Sequence, residues 1–153
     1  MSIVKVLLTL SFIVVMLTAC PMKEIYKYKG GVISSHGIEL SPQTVYYSEF
    51  KGEFKADFVL NIFNTSNQPI VLNFKETFLL AENQKIAIEN VIFKFGKEGE
   101  LESSTNLTIP PQRDTLIGLY FKGKMYSYKG DINLIFKSND INIQIPYKRI
   151  LKK

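Results

Sequence analysis

Cys20 and His36 are the only cysteine and the only histidine in this chain of 153 residues. A protein zinc site gathers three or four thiolates, imidazoles or carboxylates around the ion. One copy of each residue excludes a zinc centre of the His/Cys type. His36 follows two hydroxyl residues in Ser34-Ser35-His36-Gly37, but neighbouring residues of an extended chain point to opposite faces, and no Gly-x-Ser-x-Gly elbow occurs anywhere. The segment reads as a turn. Glu98, Glu100 and Glu102 form the one local group of carboxylates, beside Gly96 and Gly99. Ca²⁺ takes oxygen ligands of this kind, but no Asp-rich loop accompanies them, and the pattern reads as a solvated hairpin tip. There is no Gly-rich phosphate loop and no tryptophan to stack on a sugar. The expectation is a protein that is not an enzyme and needs no cofactor and no metal.

The other chemistry-bearing pattern is tyrosine interleaved with lysine. It occurs twice, as Tyr26-Lys27-Tyr28-Lys29-Gly30 and as Tyr126-Ser127-Tyr128-Lys129-Gly130. Tyrosine rings supply amphipathic contact area and lysines attract phosphate or carboxylate. A face built from Tyr26, Tyr28, Tyr126 and Tyr128, with Lys122, Lys124 and Lys129 beside it, would suit an anionic envelope glycan, lipopolysaccharide head groups or an acidic protein surface. Residues two apart project to the same side of a strand, so the face exists only if the two segments are neighbours. The competing reading is a pair of edge strands that lysines guard against edge-to-edge association. The formal charge of +5 is spread thinly, with no Lys/Arg block, so no nucleic-acid partner is expected.

The elements that must hold these residues are strands. From Ile25 onward apolar residues recur at period two, the spacing of a half-buried strand. Tyr26 to Lys29, a Gly30-Gly31 turn and Val32-Ile33 read as a hairpin or edge ribbon that Ser41-Pro42 closes. Over Glu53 to Phe63, Phe54, Ala56, Phe58, Leu60 and Ile62 share the core face. Pro69 opens a strand with Ile70, Leu72 and Phe74 on one side. Further strands are expected at Thr77 to Leu80, Lys85 to Glu89, Val91 to Phe95 and Leu107 to Ile109. The strand from Thr115 to Lys122 is apolar on both faces and therefore central. A last hairpin pairs Ile132, Leu134 and Phe136 with Ile141, Ile143 and Ile145, and Pro146 closes it. Eight or nine strands joined by short turns predict an all-β antiparallel sandwich over 25–153, since parallel strands need long crossovers.

Before this lies a leader. Lys5 supplies a positive start, and Val6 to Leu17 is an apolar run that only Thr9 and Ser11 interrupt. It falls short of the ~20 apolar residues that cross a bilayer as a helix, which is the pattern of a signal peptide. Its end, Leu17-Thr18-Ala19-Cys20, resembles the lipobox of bacterial lipoprotein precursors. The resemblance implies that residues 1–19 are removed, that Cys20 takes a diacylglycerol thioether and that 20–24 is a short tether to a membrane. Pro21 stands where enteric lipoproteins kept in the inner membrane carry Asp, which implies the outer membrane. With its one cysteine acylated, the domain has no disulfide and depends on packing.

Two segments, Leu60 to Asn64 with Pro69 to Leu72, and Ile109-Pro110-Pro111 with Leu116 to Phe121, resemble bacterial immunoglobulin-like lipoprotein domains: a strand ending in Asn, a polar loop, a partner strand, and later a Pro-containing loop before an apolar strand. Asp114-Thr115-Leu116 resembles the Asp-Ser/Thr-aliphatic O-glycosylation motif of some anaerobic Gram-negative bacteria. Together these readings give a lipid-anchored envelope protein, monomeric or weakly associating, with a binding or structural role. The alternative is an exported hydrolase or glycan-processing accessory whose two carboxylates come from distant strands.

Overall fold

A computed structural model describes residues 25–96, 98–124 and 130–150. The leader, Cys20, the tether and the segment holding Tyr126, Tyr128 and Lys129 lie outside the described residues. The chain forms twelve strands, β1 (Tyr26–Lys27), β2 (Ile33–Ser35), β3 (Ile38–Phe50), β4 (Glu53–Asn64), β5 (Ile70–Asn73), β6 (Phe78–Ala81), β7 (Gln84–Phe95), β8 (Glu102–Ser103), β9 (Asn106–Ile109), β10 (Asp114–Lys124), β11 (Ile132–Ser138) and β12 (Ile141–Arg149). Every pairing is antiparallel. There is no helix among the described residues.

One continuous sheet runs β1-β12-β11-β6-β7-β10-β4-β3-β2 and curls into two facing layers. The strand common to both is β7. Gln84 to Ala87 pair with β6, and Ile88 to Phe95 pair with β10. The register slips where Tyr120 faces Asn90 and Phe121 faces Ile88, so Glu89 is an extra residue in β7. Such a bulge bends its strand and increases the twist, which is what a strand crossing between layers requires. The sequence therefore reads as two strands where the chain has one.

The core face of β4 is as expected: Phe54, Ala56, Phe58, Leu60 and Ile62 are all buried. β10 lies between β4 and β7 and is central, with Ile117, Leu119 and Phe121 inside. From the opposite layer β12 contributes Ile145 and Tyr147, and the ring of Tyr147 meets Phe58 edge-on at 4.8 Å between centroids. A separate ribbon of β5 and β9 closes one end of the sandwich with Leu72, Leu107 and Ile109, and Phe74 just beyond β5 packs on Phe136.

Three proline and glycine expectations are corrected. Gly30-Gly31 does not turn a hairpin: β1 pairs with β12 and β2 with β3, so the glycines lead from one layer to the other. Ser41-Pro42 does not end the N-terminal section, because β3 runs on to Phe50 and takes up Gln43 and Thr44 in a bulge after Pro42. A proline without an amide proton is tolerated in an edge strand at such a bulge. Pro146 likewise lies within β12, at a stretch that β1 leaves uncovered, since β1 reaches only Lys148 and Arg149. The β3–β4 hairpin, which the proline concealed, turns through Lys51 and Gly52 with φ of 51° and 76°, as a two-residue turn of the favoured hand requires.

Asn64 joins the two loops at the far end. It is fully buried at the end of β4. Its Nδ2 donates to the carbonyls of Gln68 at 2.7 Å, Ile109 at 3.0 Å and Pro110 at 3.2 Å, while its Oδ1 accepts from the Ser66 amide at 2.9 Å and the Ser66 hydroxyl at 2.7 Å. The Asn64 amide donates to Arg113 O and the Gln112 amide donates to Asn64 O. The polar loop after β4 and the proline loop before β10 are thus one hydrogen-bonded unit. Asn64→Ala should destabilise the sandwich by about 2–4 kcal/mol, because it strands buried carbonyls that each cost about 1 kcal/mol or more. Asn64→Asp should be comparably harmful, since it places an acceptor against carbonyl oxygens. Urea unfolding of the three proteins checks both expectations.

Candidate functional site

Of the expected tyrosine and lysine residues, Tyr26, Tyr28, Lys122 and Lys124 lie among the described ones. Tyr26 is 0% exposed and packs edge-on against Tyr47 at 5.2 Å, so it belongs to the core and presents nothing to a ligand. Tyr28 folds back over Gly30, where a Cβ would collide with its ring, and its hydroxyl donates to Gly31 O at 3.0 Å. Its ring tilts toward Tyr147 at 6.1 Å. Burial raises the Tyr47 and Tyr147 phenols far above the ordinary range for tyrosine. Lys122 and Lys124 lie near the end of β10. Lys122 is 3.6 Å from the Glu53 carboxylate across the strand pair, a surface contact of small energetic weight. His36 is a turn residue, with φ of 44° and Nδ1 2.7 Å from Ser35 Oγ. Thr115 faces the core and is fully buried. That position does not suit the glycosylation reading, since a glycan needs a solvent-facing hydroxyl.

A different group stands out on the outer face of the β3-β4-β10-β7 layer. Asp57 alternates with the core residues Ala56 and Phe58 and therefore points away from them. The register sets Tyr46 of β3 and Tyr120 of β10 directly opposite Asp57 on its two sides, and Asn90 of β7 beyond Tyr120. The four residues make one rung across four strands, and residues in one rung project to one face. Tyr46 is 45% exposed, Tyr120 is half-buried and Asn90 is exposed. Next to Tyr120, Gly118 leaves a gap that the Asp57 carboxylate overhangs: a Cβ there would lie 3.0 Å from Asp57 Oδ1. Val59 and Ile92, which the register sets opposite Gly118, are half-buried on the same face.

The electrostatics of this rung follow from that setting. Asp57 Oδ1 is buried and has no hydrogen-bond partner. Desolvation without a compensating charge raises its pKa to about 6. Burial also raises the Tyr120 phenol, and the Glu89, Glu53 and Asp57 carboxylates add to the shift. The rung thus holds a desolvated carboxylate between two tyrosines, with Lys55 and Lys122 two residues along the same face. Such a carboxylate accepts a hydrogen bond from an ammonium or a hydroxyl group, and tyrosine faces attract cations. For two-carboxylate hydrolysis the partners stand roughly 5–9.5 Å apart. Glu53 is four residues from Asp57 on the same strand, about 13 Å away at strand rise, and faces Lys122. Among the described residues no group of three His, Cys, Asp or Glu side chains is placed to hold a metal ion.

Sequence reasoning missed this site. Its one signal was an aspartate at an outward position of a strand otherwise clear in pattern; the tyrosines and the glycine come from strands whose register the sequence does not state.

By fold the chain is an all-β antiparallel sandwich protein. No family model and no curated protein matches it. Among solved structures it is similar to an uncharacterized β-sandwich protein from Clostridium difficile 630, at 18% identity and a TM-score of 0.55 over 84% of this chain and 99% of that one. It is also similar to a presumed lipoprotein, ycdA, from Bacillus subtilis subsp. subtilis str. 168, at 14% identity and a TM-score of 0.49 over 83% of this chain. This chain covers 39% of that protein. The first likeness supports the sandwich fold.

The raised Asp57 pKa has a sign that can be tested. Protonation of Asp57 is favoured more in the folded than in the unfolded chain, so the folded state binds the extra proton between about pH 4 and pH 6. The cost of holding an ionised Asp57 is absent below that window and complete above it. Asp57→Asn should therefore raise the melting temperature by several degrees at pH 8, corresponding to roughly 2 kcal/mol, and the gain should vanish by pH 4. Thermal melts of both proteins at the two pH values measure it.

Proposed function

We propose that the chain is a lipid-anchored cell-envelope protein that works by binding and not by catalysis. The observation that carries this reading is Leu17-Thr18-Ala19-Cys20 at the close of a short apolar leader, five residues before Ile25, where the described residues begin. The outer membrane suits Pro21 at the position after the acylated cysteine. The binding surface is the outer face around Asp57, with Tyr46 and Tyr120 on its two sides. Its partner is an envelope component that offers an ammonium or hydroxyl group to the carboxylate. An anionic glycan held by Tyr26 and Tyr28 loses support, because Tyr26 is in the core and Tyr28 is folded onto its own loop.

Cys20→Ala should abolish incorporation of labelled palmitate and move the protein out of the membrane fraction, while Cys20 in the parent chain is labelled. Label on the Cys20→Ala protein would remove the anchored reading. Asp57→Ala should then weaken retention on purified envelope material, and Tyr46→Ala should weaken it similarly, with both proteins folded by circular dichroism.

A further inference from the structure

The strand register gathers one set of residues at the end of the sandwich where the chain enters. The Ile150 amide donates to Ile25 O at 2.6 Å, and Tyr26 pairs with Arg149. The Arg149 amide donates to Asp131 Oδ1, and Ile132 next to it pairs with Tyr147 on one side and Ala81 on the other. Ala81 pairs with Gln84, whose Nε2 donates to Lys124 O at 2.9 Å. Lys124 pairs with Glu53, and Glu53 with Phe50. Ile25, Arg149, Gln84, Lys124, Phe50 and the Lys51-Gly52 turn therefore share one end, opposite the Asn64 loops.

At this end stands Phe50, 67% exposed at the tip of the β3–β4 hairpin, with Lys51 Nζ 5.3 Å from its ring centroid. Ile150 is a second exposed apolar residue here, at 38%. The charged groups include Lys27, Lys51, Lys85, Lys122, Lys124, Lys148 and Arg149 against Glu49, Glu53, Glu82 and Asp131, and Lys122 and Glu53 form an ion pair. The balance is basic. An exposed aromatic ring set among cations is how a protein seats itself at a lipid–water interface, and juxtamembrane lysines gain from an anionic surface.

We propose that this end lies against an anionic phospholipid surface, with Phe50 in the head-group layer and Lys51 and Lys124 over the lipid phosphates. The proposal rests on the reading of Cys20 as the lipid anchor and adds to it an orientation. Cys20 is five residues from Ile25, and an extended chain spans at most ~3.5 Å per residue. The anchored end is thereby held within roughly 18 Å of the bilayer. A contact too weak to bind alone is made effective by that tether, which keeps the local concentration of membrane high. The orientation leaves the Asp57 face standing sideways to the membrane, open to partners.

The chain has no tryptophan, so Phe50→Trp installs the sole indole where the contact is expected. The full lipidated Phe50→Trp protein is reconstituted in vesicles of phosphatidylglycerol with phosphatidylethanolamine, and in vesicles of phosphatidylcholine. Val71→Trp serves as the control, since Val71 is 54% exposed at the opposite end, where its carbonyl accepts from Asn139. In anionic vesicles position 50 should show blue-shifted emission and quenching by brominated lipid, both reduced several-fold in phosphatidylcholine, while position 71 stays water-like. Combining Lys51→Glu and Lys124→Glu with Phe50→Trp should abolish the anionic preference. Protein that floats with the vesicles while position 50 remains in water overturns the orientation and leaves the anchor standing. Protein that does not float overturns the anchor and the orientation with it. A blue shift that tracks protein concentration without lipid assigns Phe50 to contact with a second copy and also overturns the proposal.

Discussion

The fold depends on one strand bonded into both layers. Because β7 pairs with β6 along its first residues and with β10 along the rest, the two layers are one hydrogen-bonded sheet, and closure of the sandwich is decided at Glu89. That bulge allows the sheet to turn so that Tyr147 faces Phe58 and Tyr26 faces Tyr47 across the interior. No disulfide assists, since Cys20 is the only cysteine. Apolar burial between the layers is left as the dominant source of stability, and a layer that failed to turn would leave both inner faces in water.

The polar groups then sort by whether this closure provides them a partner. Asn64 is buried and bonded through both ends of its amide, which makes it a lock between loops. Thr77 is buried with its hydroxyl donating to Lys137 O and accepting from the Lys137 amide. Asp57 is the contrast. It lies on the outer face, where partial burial removes water and no neighbour replaces it. Polar groups in that state cost stability.

Much of this architecture was legible in the chain. One-sided burial imposes period two, so the core faces of β4, β10, β11 and β12 were open to reading from residues such as Phe58, Ile62, Leu119 and Phe136. What escaped is non-local. Pro42 and Pro146 read as terminators, but whether a missing amide proton matters depends on whether a neighbouring strand needs it. Tyr26 and Tyr28 read as surface because tyrosine is amphipathic, and only the arrival of β3 beneath β1 makes Tyr26 core. The Asp57 rung is assembled from β3, β4, β10 and β7, so its composition is a matter of register, which a chain pattern does not contain. Asn64 was marked as a strand end before a polar loop, yet its reach to Ile109 and Pro110 depends on how the far loops meet.

The pairing of Tyr26 with Arg149 bears on how the molecule comes together. β1 supplies two residues and joins the start of the described chain to its end, so it closes the longest loop in the fold for the fewest hydrogen bonds. Loop-closure entropy delays such contacts, whereas the β3–β4 and β11–β12 hairpins need only their own turns. The strand nearest the chain's entry is thus secured last and, by the same energetics, released first when the structure loosens. Release of β1 would free the start of the described chain without opening any hairpin, and the buried ring of Tyr26 sets how seldom that happens.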